Sequence, residues 1–211
     1  MPAMPVAERM TAKEFLALPP RKEAARIELV NGELVVSEAS PFHATLQGRI
    51  FFALELWVRA QPLRGRAFFP IDVGIDEHNV YIPDVLWYAQ GRAPGDEDRP
   101  SPPPGLPVEV RSPSTWSHDV GPKRAGYERR GVAELWLVDT AAEVVLAFRR
   151  SRPDAPEFDV AVELGGWRGA LDASPTGLLP RPRRPVRAQL SAVATCFRRL
   201  PLRRQLAEPV E

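Results

Sequence analysis

The chain has 211 residues, of which 44% are hydrophobic and 26% charged, and its formal net charge is +1. This length and apolar content are typical of one soluble domain, while the net charge argues neither for nor against a nucleic-acid partner. The single cysteine, Cys196, excludes an internal disulfide and a cysteine-based zinc site, and no apolar run approaches the roughly 18 residues that span a membrane. We therefore expect a cytoplasmic protein without membrane contact.

The N-terminal part of the chain predicts a short helix, a hairpin and a long helix. A capping threonine, Thr11, begins a helix-forming run that two prolines end. β-Forming runs flank Asn31-Gly32, the pair that most strongly favours a tight hairpin. From Pro41 to about Ala60 apolar residues repeat at near-helical spacing, which predicts the longest helix of the chain.

The remainder predicts strands and two further helices. Helix formers between Asp119 and Arg130 predict a helix that stops at Gly131. The predicted strands cover residues 67–75, 81–88, 106–111, 134–139, 143–148 and 158–163, and an amphipathic helix is predicted over residues 186–200. This order predicts an α/β (α+β mixed) fold in which a mixed central sheet is flanked by helices.

The C-terminal residues have a distinct charge. Residues 177–211 contain eight arginines and two acidic residues. We expect a main domain over residues 1–176 and an arginine-rich extension over residues 177–211 that packs on it. The positive charge can contact phosphates or can belong to a solvated tail.

Two acidic residues lie in apolar strands, where an isolated carboxylate is unfavourable. Asp84 follows Pro83, and Glu109 lies between two valines. Carboxylates on adjacent strands raise each other's pKa unless a cation neutralises them. Mg²⁺ accepts one or two carboxylates with several waters, so this pair and one backbone carbonyl would be sufficient. Replacing either acid with alanine should relieve the repulsion and leave the fold intact.

A lysine in the helix after the second acidic strand can assist such a site. Lys123 can orient an attacking water or stabilise charge on phosphoryl oxygens, and Tyr127 lies one turn along the same face. Structural roles are open as well. Glu109 can pair with Arg111 or Lys123, and Asp84 can mark the end of a strand.

Three stretches around these residues follow a recognisable order. They are Ile82-Pro-Asp-Val, then Val108-Glu-Val-Arg-Ser-Pro-Ser-Thr, then Asp119-x3-Lys123-x3-Tyr127-x3-Gly131-Val-x-Glu-Leu-Trp-Leu-Val-Asp. This order resembles the Uma-type restriction endonuclease family of the PD-(D/E)xK nuclease superfamily over roughly residues 10–150. The resemblance implies a restriction-endonuclease-like core that carries an N-terminal hairpin.

The resemblance also implies a metal site. Asp84, Glu109 and the carbonyl of Val110 would bind Mg²⁺ or Mn²⁺, and Lys123 would be the catalytic lysine. In the superfamily the lysine stands two residues after the second acid, where this chain has Arg111. The Uma-type pattern moves the lysine to the following helix, which matches Lys123.

Three further residues are expected to be auxiliary, namely Glu28 in the hairpin, His43 at the start of the long helix, and Tyr127. The implied activity is metal-dependent hydrolysis of phosphodiester bonds in nucleic acid, with DNA as the expected substrate and a homodimer as the expected form, because a duplex has two strands to cut. Two alternatives stay open. One is a non-catalytic nucleic-acid-binding or assembly module with the nuclease fold, and the other is hydrolysis of another phosphate ester.

Overall fold

The computed structural model describes residues 9–19 and 25–165, which form two β-sheets with helices packed against them. The helices are α1 (Ala12–Leu16), α2 (Pro41–Arg59), α3 (Trp116–His118) and α4 (Arg124–Arg129), and a π-helical turn over Asp119–Lys123 joins the last two. The strands are β1 (Arg26–Val30), β2 (Glu33–Ser37), β3 (Arg66–Phe68), β4 (Val73–Asp76), β5 (Asn79–Tyr81), β6 (Val85–Tyr88), β7 (Leu106–Val110), β8 (Glu134–Asp139), β9 (Val144–Arg149) and β10 (Val160–Gly165). The predicted extension over residues 177–211, with its helix, lies outside the described residues, so the domain boundary stays a prediction.

The larger sheet has six strands in the order β10-β9-β8-β7-β6-β3, and the smaller sheet has four in the order β2-β1-β5-β4. β7 and β8 are parallel, whereas the other paired strands of both sheets are antiparallel. A parallel pair needs a crossover connection, which the helical segment from α3 to α4 provides. The predicted mixed central sheet is therefore confirmed, and the predicted N-terminal hairpin belongs to the second sheet.

The hairpin and the long helix form where the sequence predicts them. Asn31 and Gly32 have φ angles of 52° and 78° between β1 and β2, the left-handed values that a tight type I′ turn requires. The side chain of Ser40 caps α2 by accepting from the backbone N–H of His43 at 3.1 Å. Among the described residues, no helix is long and apolar enough to cross a membrane.

The larger sheet separates two hydrophobic clusters. On β6, Val85 belongs to the cluster with α2, whereas Leu86 belongs to the cluster with the smaller sheet and α4. On β7, Val108 and Val110 belong to the α2 cluster. Because side chains alternate along a strand, Glu109 points away from α2, towards the smaller sheet and the helical crossover.

The predicted strands over residues 67–75 and 81–88 are wrong in extent. The first run forms β3 and β4, and the second forms β5 and β6. In each run the two short strands belong to different sheets. Pro70 and Pro83 interrupt the two runs, because proline has no N–H to donate to a strand ladder. The chain thus passes between the sheets at each proline, and Asp84 lies at the second passage.

The predicted helix over residues 119–130 begins earlier and is not regular. It starts at Trp116 and widens into the π-helical turn that contains Pro122. A π-helical turn interrupts the i→i−4 hydrogen bonds, so it tolerates a residue without an N–H. Asp119 and Lys123 lie at the two ends of this turn, and both side chains are buried.

Gly126 in α4 lies against the ring of Tyr81. A Cβ atom at position 126 would be 2.4 Å from Tyr81 Oη and 3.0 Å from two ring carbons. Tyr81 is fully buried and its hydroxyl donates to Asn79 at 3.0 Å, and both features oppose a shift of the ring. We expect Gly126→Ala to lower the free energy of unfolding by about 1–3 kcal/mol in urea denaturation.

A matched substitution in α2 serves as the control. An added Cβ at Gly48 would meet nothing within 4 Å. Gly48→Ala should therefore raise the free energy of unfolding by about 0.5–1 kcal/mol, since alanine favours a helix more than glycine does. Destabilisation of equal size in both variants would contradict a specific contact with Tyr81.

Candidate active site between the two sheets

A cleft of about 80 Å³ opens beside β7, the smaller sheet and the helical crossover. One water needs roughly 10–15 Å³ of cavity volume, so the cleft has room for an ion with several waters. The predicted site residues that line it are Glu28, His43, Asp84, Glu109, Val110 and Lys123, and the other charged residues in the lining are Arg26, Glu38 and Asp119. Tyr127 lies behind the lining and contacts Glu109.

The buried side chain of Asp84 is fixed against β7. Its backbone N–H donates to the carbonyl of Val108 at 2.9 Å, and its Oδ2 accepts from the backbone N–H of Val110 at 2.7 Å. The partners Val108 and Val110 flank Glu109 in β7, so the two predicted metal ligands, Asp84 and Glu109, are neighbours. Oδ1 accepts from Arg26 Nη1 at 2.5 Å. Burial would raise the pKa of Asp84, but the hydrogen bond from His43 and the charge of Arg26 hold it below its usual range.

His43, near the N-terminus of α2, connects the predicted ligands. Its Nε2 lies 3.1 Å from the carbonyl oxygen of Val110 and 3.2 Å from Asp84 Oδ2. A carbonyl and a carboxylate only accept hydrogen bonds, so Nε2 carries the proton. Nδ1 is buried and has no partner within residues 9–19 and 25–165. The imidazole thus orients both Asp84 and the Val110 carbonyl.

Lys123 is buried at the centre of three carboxylates. Its Nζ lies 2.8 Å from Glu109 Oε1, 2.9 Å from Glu28 Oε1 and 3.1 Å from Asp119 Oδ1. Burial alone would lower the pKa of Lys123, but the charges of Glu109 and Glu28 outweigh burial and hold the pKa well above its usual value. Lys123 is therefore held as a positive charge and a hydrogen-bond donor at neutral pH.

Glu109 is held by both the lysine and a tyrosine. The hydroxyl of Tyr127 donates to Glu109 Oε1 at 2.6 Å, the oxygen that also contacts Lys123. Neither contact involves Oε2. Burial raises the pKa of Glu109 to about 8. Lys123 opposes this rise, and the neighbouring carboxylates add to it. Burial also raises the pKa of Asp119.

Acidic side chains outnumber cationic side chains in the buried part of the cleft. The buried carboxylates are Glu28, Asp84, Glu109 and Asp119, and the cations beside them are Arg26 and Lys123. Burial of an unbalanced charge is unfavourable. The cleft would therefore gain stability from a further cation or from protons.

The oxygen donors of the cleft suit a hard divalent cation. Asp84, Glu109 and the carbonyl of Val110 line the same space, and carboxylates and carbonyls are the ligands that Mg²⁺ and Mn²⁺ prefer. In the described part of the chain, no three or more His, Cys, Asp or Glu side chains are arranged as a metal site by themselves. Waters would have to complete the coordination of an ion held by two carboxylates and one carbonyl, which is usual for Mg²⁺.

Arg111, in the usual lysine position of the superfamily, has a structural contact instead. Its Nη1 donates to Asp139 Oδ1 at 2.8 Å, and its guanidinium lies 5.5 Å from the ring centre of Trp116. It does not line the cleft. Of the two partners considered for Glu109, the structure therefore pairs it with Lys123.

Sequence analysis missed three charged residues of the cleft, which are Arg26, Glu38 and Asp119. Asp119 precedes Lys123 by four residues, and this i, i+4 spacing could have indicated that the two lie together. Arg26 has no such signal, because it meets Asp84 from 58 positions away. Glu28 likewise meets Lys123 from 95 positions away, although the resemblance had selected it.

Comparison with known families identifies the relatives of this arrangement. Residues 12–169 match the Uma2 family model, whose description is "Putative restriction endonuclease". The chain belongs to the Uma2 family. The predicted family is thus confirmed, and the motif residues of this Uma2 protein lie together around one cleft.

A solved structure supports the fold. The chain is similar to the crystal structure of a putative nuclease belonging to DUF820 from Anabaena variabilis ATCC 29413, with 20% sequence identity and a TM-score of 0.58. The alignment covers 88% of this Uma2 chain and 99% of that chain. At this identity the likeness concerns the fold. No curated protein matches the sequence.

Proposed function

We propose that this Uma2 protein is a divalent-metal-dependent nuclease that hydrolyses phosphodiester bonds in nucleic acid, with DNA as the expected substrate. The observation that carries the proposal is that Asp84, directly before β6, lies beside Glu109 of β7, with the Lys123 ammonium 2.8 Å from Glu109, in an open cleft. Family membership and the fold of the neighbouring structure support it.

Each residue has a distinct part in this proposal. Asp84, Glu109 and the Val110 carbonyl would hold Mg²⁺ or Mn²⁺, which would supply Lewis acidity and lower the pKa of water. Neighbouring groups fix these ligands, because His43 donates to the Val110 carbonyl and Tyr127 donates to Glu109. Pre-oriented ligands need less rearrangement when the substrate binds.

Lys123 would stabilise the charge that hydrolysis creates. In the reaction a water oxygen bonds to phosphorus and releases a proton to solvent, the bond from phosphorus to one sugar oxygen breaks, and the leaving oxygen takes up a proton from solvent. Negative charge builds on the phosphoryl oxygens, and a fixed ammonium beside them lowers the barrier. Glu28 and Asp119 keep Lys123 in place through contacts of 2.9 and 3.1 Å.

A non-catalytic nucleic-acid-binding or assembly module is the second candidate. One observation favours it, since both predicted metal-binding carboxylates already have cationic partners, Arg26 for Asp84 and Lys123 for Glu109. A closed network of this kind can also serve stability. Cleavage and metal binding distinguish the two functions.

The decisive experiment measures cleavage of single- and double-stranded DNA and RNA with Mg²⁺ or Mn²⁺, and with EDTA. We expect the wild type to cut only with metal, and Asp84→Asn to lower the rate at least about 100-fold, in the range typical of losing one key electrostatic contact. Asp96→Asn is the matched control, because Asp96 is exposed and does not line the cleft. It should cut as the wild type does.

The other outcomes are equally clear. Nucleic-acid binding without cutting would favour the second candidate. Cutting that resists EDTA, or that Asp84→Asn retains, would contradict a metal site at this carboxylate.

A further inference from the structure

Arg26, the first residue of β1, differs from the other charged residues around the metal-site ligands. Its side chain is 22% exposed, whereas the side chains of Asp84, Glu109 and Lys123 are at most 3% exposed. Arg26 therefore lies between the buried charges and solvent. Among the cations that line the cleft in the described residues, it is the one that an approaching anion would meet first.

The hydrogen bonds of Arg26 use two of its five N–H donors. Nη1 donates to Asp84 Oδ1 at 2.5 Å and to the carbonyl of Ile82 at 3.3 Å. A guanidinium has five N–H donors, and neither of these bonds involves Nε or Nη2. The guanidinium can therefore reorient at the cost of one ion pair and one long hydrogen bond.

The two oxygens of Asp84 have partners of different kinds. Oδ2 is bound by the backbone N–H of Val110 and by His43, which α2 holds in place. Oδ1 is bound by the partly exposed side chain of Arg26. A divalent cation that approaches Asp84 would therefore find the replaceable partner at Oδ1, and it would compete there with the guanidinium.

Charge determines what the displaced guanidinium would do next. Where the four buried carboxyl groups are ionised, they outnumber the cations of the cleft, and a phosphate would be repelled unless a further cation is present. A divalent cation would bring two positive charges and would release the one charge of Arg26 from Asp84. A free guanidinium suits a phosphate, because its parallel N–H groups match two phosphate oxygens.

We infer that Arg26 is a phosphate-binding residue that rests on Asp84 in the metal-free protein and passes to the substrate phosphate when a divalent cation takes Asp84 Oδ1. This inference rests on the proposed nuclease function and adds to it a residue and an order of events. Metal binding then favours substrate binding because it frees Arg26 from Asp84. Substrate binding favours metal binding because the phosphate draws Arg26 away from Asp84.

Calorimetric titration with Mn²⁺ tests the competition directly. Arg26→Gln removes the charge and retains a hydrogen-bonding side chain, so Mn²⁺ should bind on the order of tenfold more tightly than in the wild type. Arg92→Gln is the control, because Arg92 is exposed in a loop outside the cleft, and its affinity for Mn²⁺ should be unchanged. Unchanged or weaker Mn²⁺ binding in Arg26→Gln would overturn the inference, since Arg26 would then be a fixed partner of Asp84.

Binding of a short DNA duplex in Ca²⁺ tests the second step. Arg26→Gln should bind the duplex on the order of tenfold more weakly, and the salt dependence of binding should fall by about one phosphate contact. Arg26→Lys keeps the charge that pairs with Asp84 but has no fork of N–H groups, so it should bind Mn²⁺ as the wild type does and DNA more weakly. Duplex binding that neither variant weakens would overturn the inference.

Asp84→Asn separates failure of this inference from failure of the proposed function. If Asp84→Asn binds Mn²⁺ as tightly as the wild type, the proposed metal site is wrong, whatever Arg26 does. If Asp84→Asn loses Mn²⁺ binding while Arg26→Gln binds Mn²⁺ and the duplex as the wild type does, the metal site stands and the proposed role of Arg26 is wrong.

Discussion

Lys123→Met is expected to abolish nucleic-acid cleavage and to lower the free energy of unfolding by about 3–5 kcal/mol. Lys123 is buried, and its Nζ lies within 3.1 Å of three carboxylate oxygens, from Glu28, Glu109 and Asp119. Methionine has a similar length but no charge, so these carboxylates would lose their shared cation. A buried carboxylate without its counter-ion is far less stable than an exposed one.

Two measurements check this expectation separately. Urea denaturation gives the loss of stability, and cleavage is compared at a temperature where circular dichroism shows both proteins folded. The cleavage rate should fall at least about 100-fold, because a fixed positive charge is lost where phosphoryl charge builds up. Lys13→Met makes the same chemical change at an exposed position of α1, and its stability should change by less than about 0.5 kcal/mol.

The two results bear on different claims. A variant with wild-type stability would mean that the carboxylates are balanced without Lys123, for example by protonation. A folded variant that cuts nucleic acid at the wild-type rate would mean that Lys123 is not the catalytic lysine.

Much of the candidate site could be predicted because charged residues are conspicuous in apolar strands. Asp84 and Glu109 are surrounded by valines and aromatic residues in the sequence, and with Lys123 they form the motif order that predicts the Uma2 family. The family and the mixed sheet are confirmed. The metal-binding and catalytic roles of these three residues stay predictions.

Tertiary contacts explain what the sequence did not reveal. The run from Tyr81 to Tyr88 has the composition of one strand, yet the chain leaves one sheet and enters the other within it. Local composition records β-propensity but not which sheet a residue joins. Arg26 was missed for a similar reason, since its partner Asp84 lies on a distant segment and no spacing relates them.

The structure also changes the expected effect of alanine at position 84. The sequence predicts that Asp84 and Glu109 repel each other, and hence that alanine at position 84 leaves the fold intact. Asp84 instead accepts from the backbone N–H of Val110 and pairs with Arg26. Asp84→Ala would leave that buried N–H without a partner, at a cost of about 1–3 kcal/mol. Asparagine retains an acceptor oxygen, which is why the cleavage experiment uses Asp84→Asn.

Glu109→Gln is expected to abolish Mn²⁺ binding and to change how stability depends on pH. Burial raises the pKa of Glu109 to about 8 from an ordinary value of 4.5. Between about pH 4.5 and pH 8, Glu109 is protonated in the folded protein and ionised in the unfolded chain. The free energy of unfolding of the metal-free wild type should therefore fall as the pH rises from about 4.5 to about 8, by at most about 1.4 kcal/mol per pH unit for this proton.

Glutamine is a suitable replacement because it keeps the shape of the side chain and an oxygen that can accept from Tyr127. It does not titrate, so the contribution of Glu109 to the slope disappears. The raised pKa of Asp119 gives a fall of the same sign in both proteins. The lowered pKa of Asp84 and the raised pKa of Lys123 affect stability below and above this window.

Urea denaturation in EDTA at pH 5, 6, 7 and 8 gives the comparison, with tryptophan fluorescence as the signal. The free energy of unfolding of Glu109→Gln should change less with pH than that of the wild type. The variant should therefore gain stability relative to the wild type towards pH 8. Parallel curves would mean that Glu109 is ionised throughout, balanced by Lys123 alone. In that case Mn²⁺ would bind without releasing a proton from Glu109. Where Glu109 is protonated, the affinity of the wild type for Mn²⁺ must instead rise from pH 6 to pH 8, because a cation binds the carboxylate and not the acid.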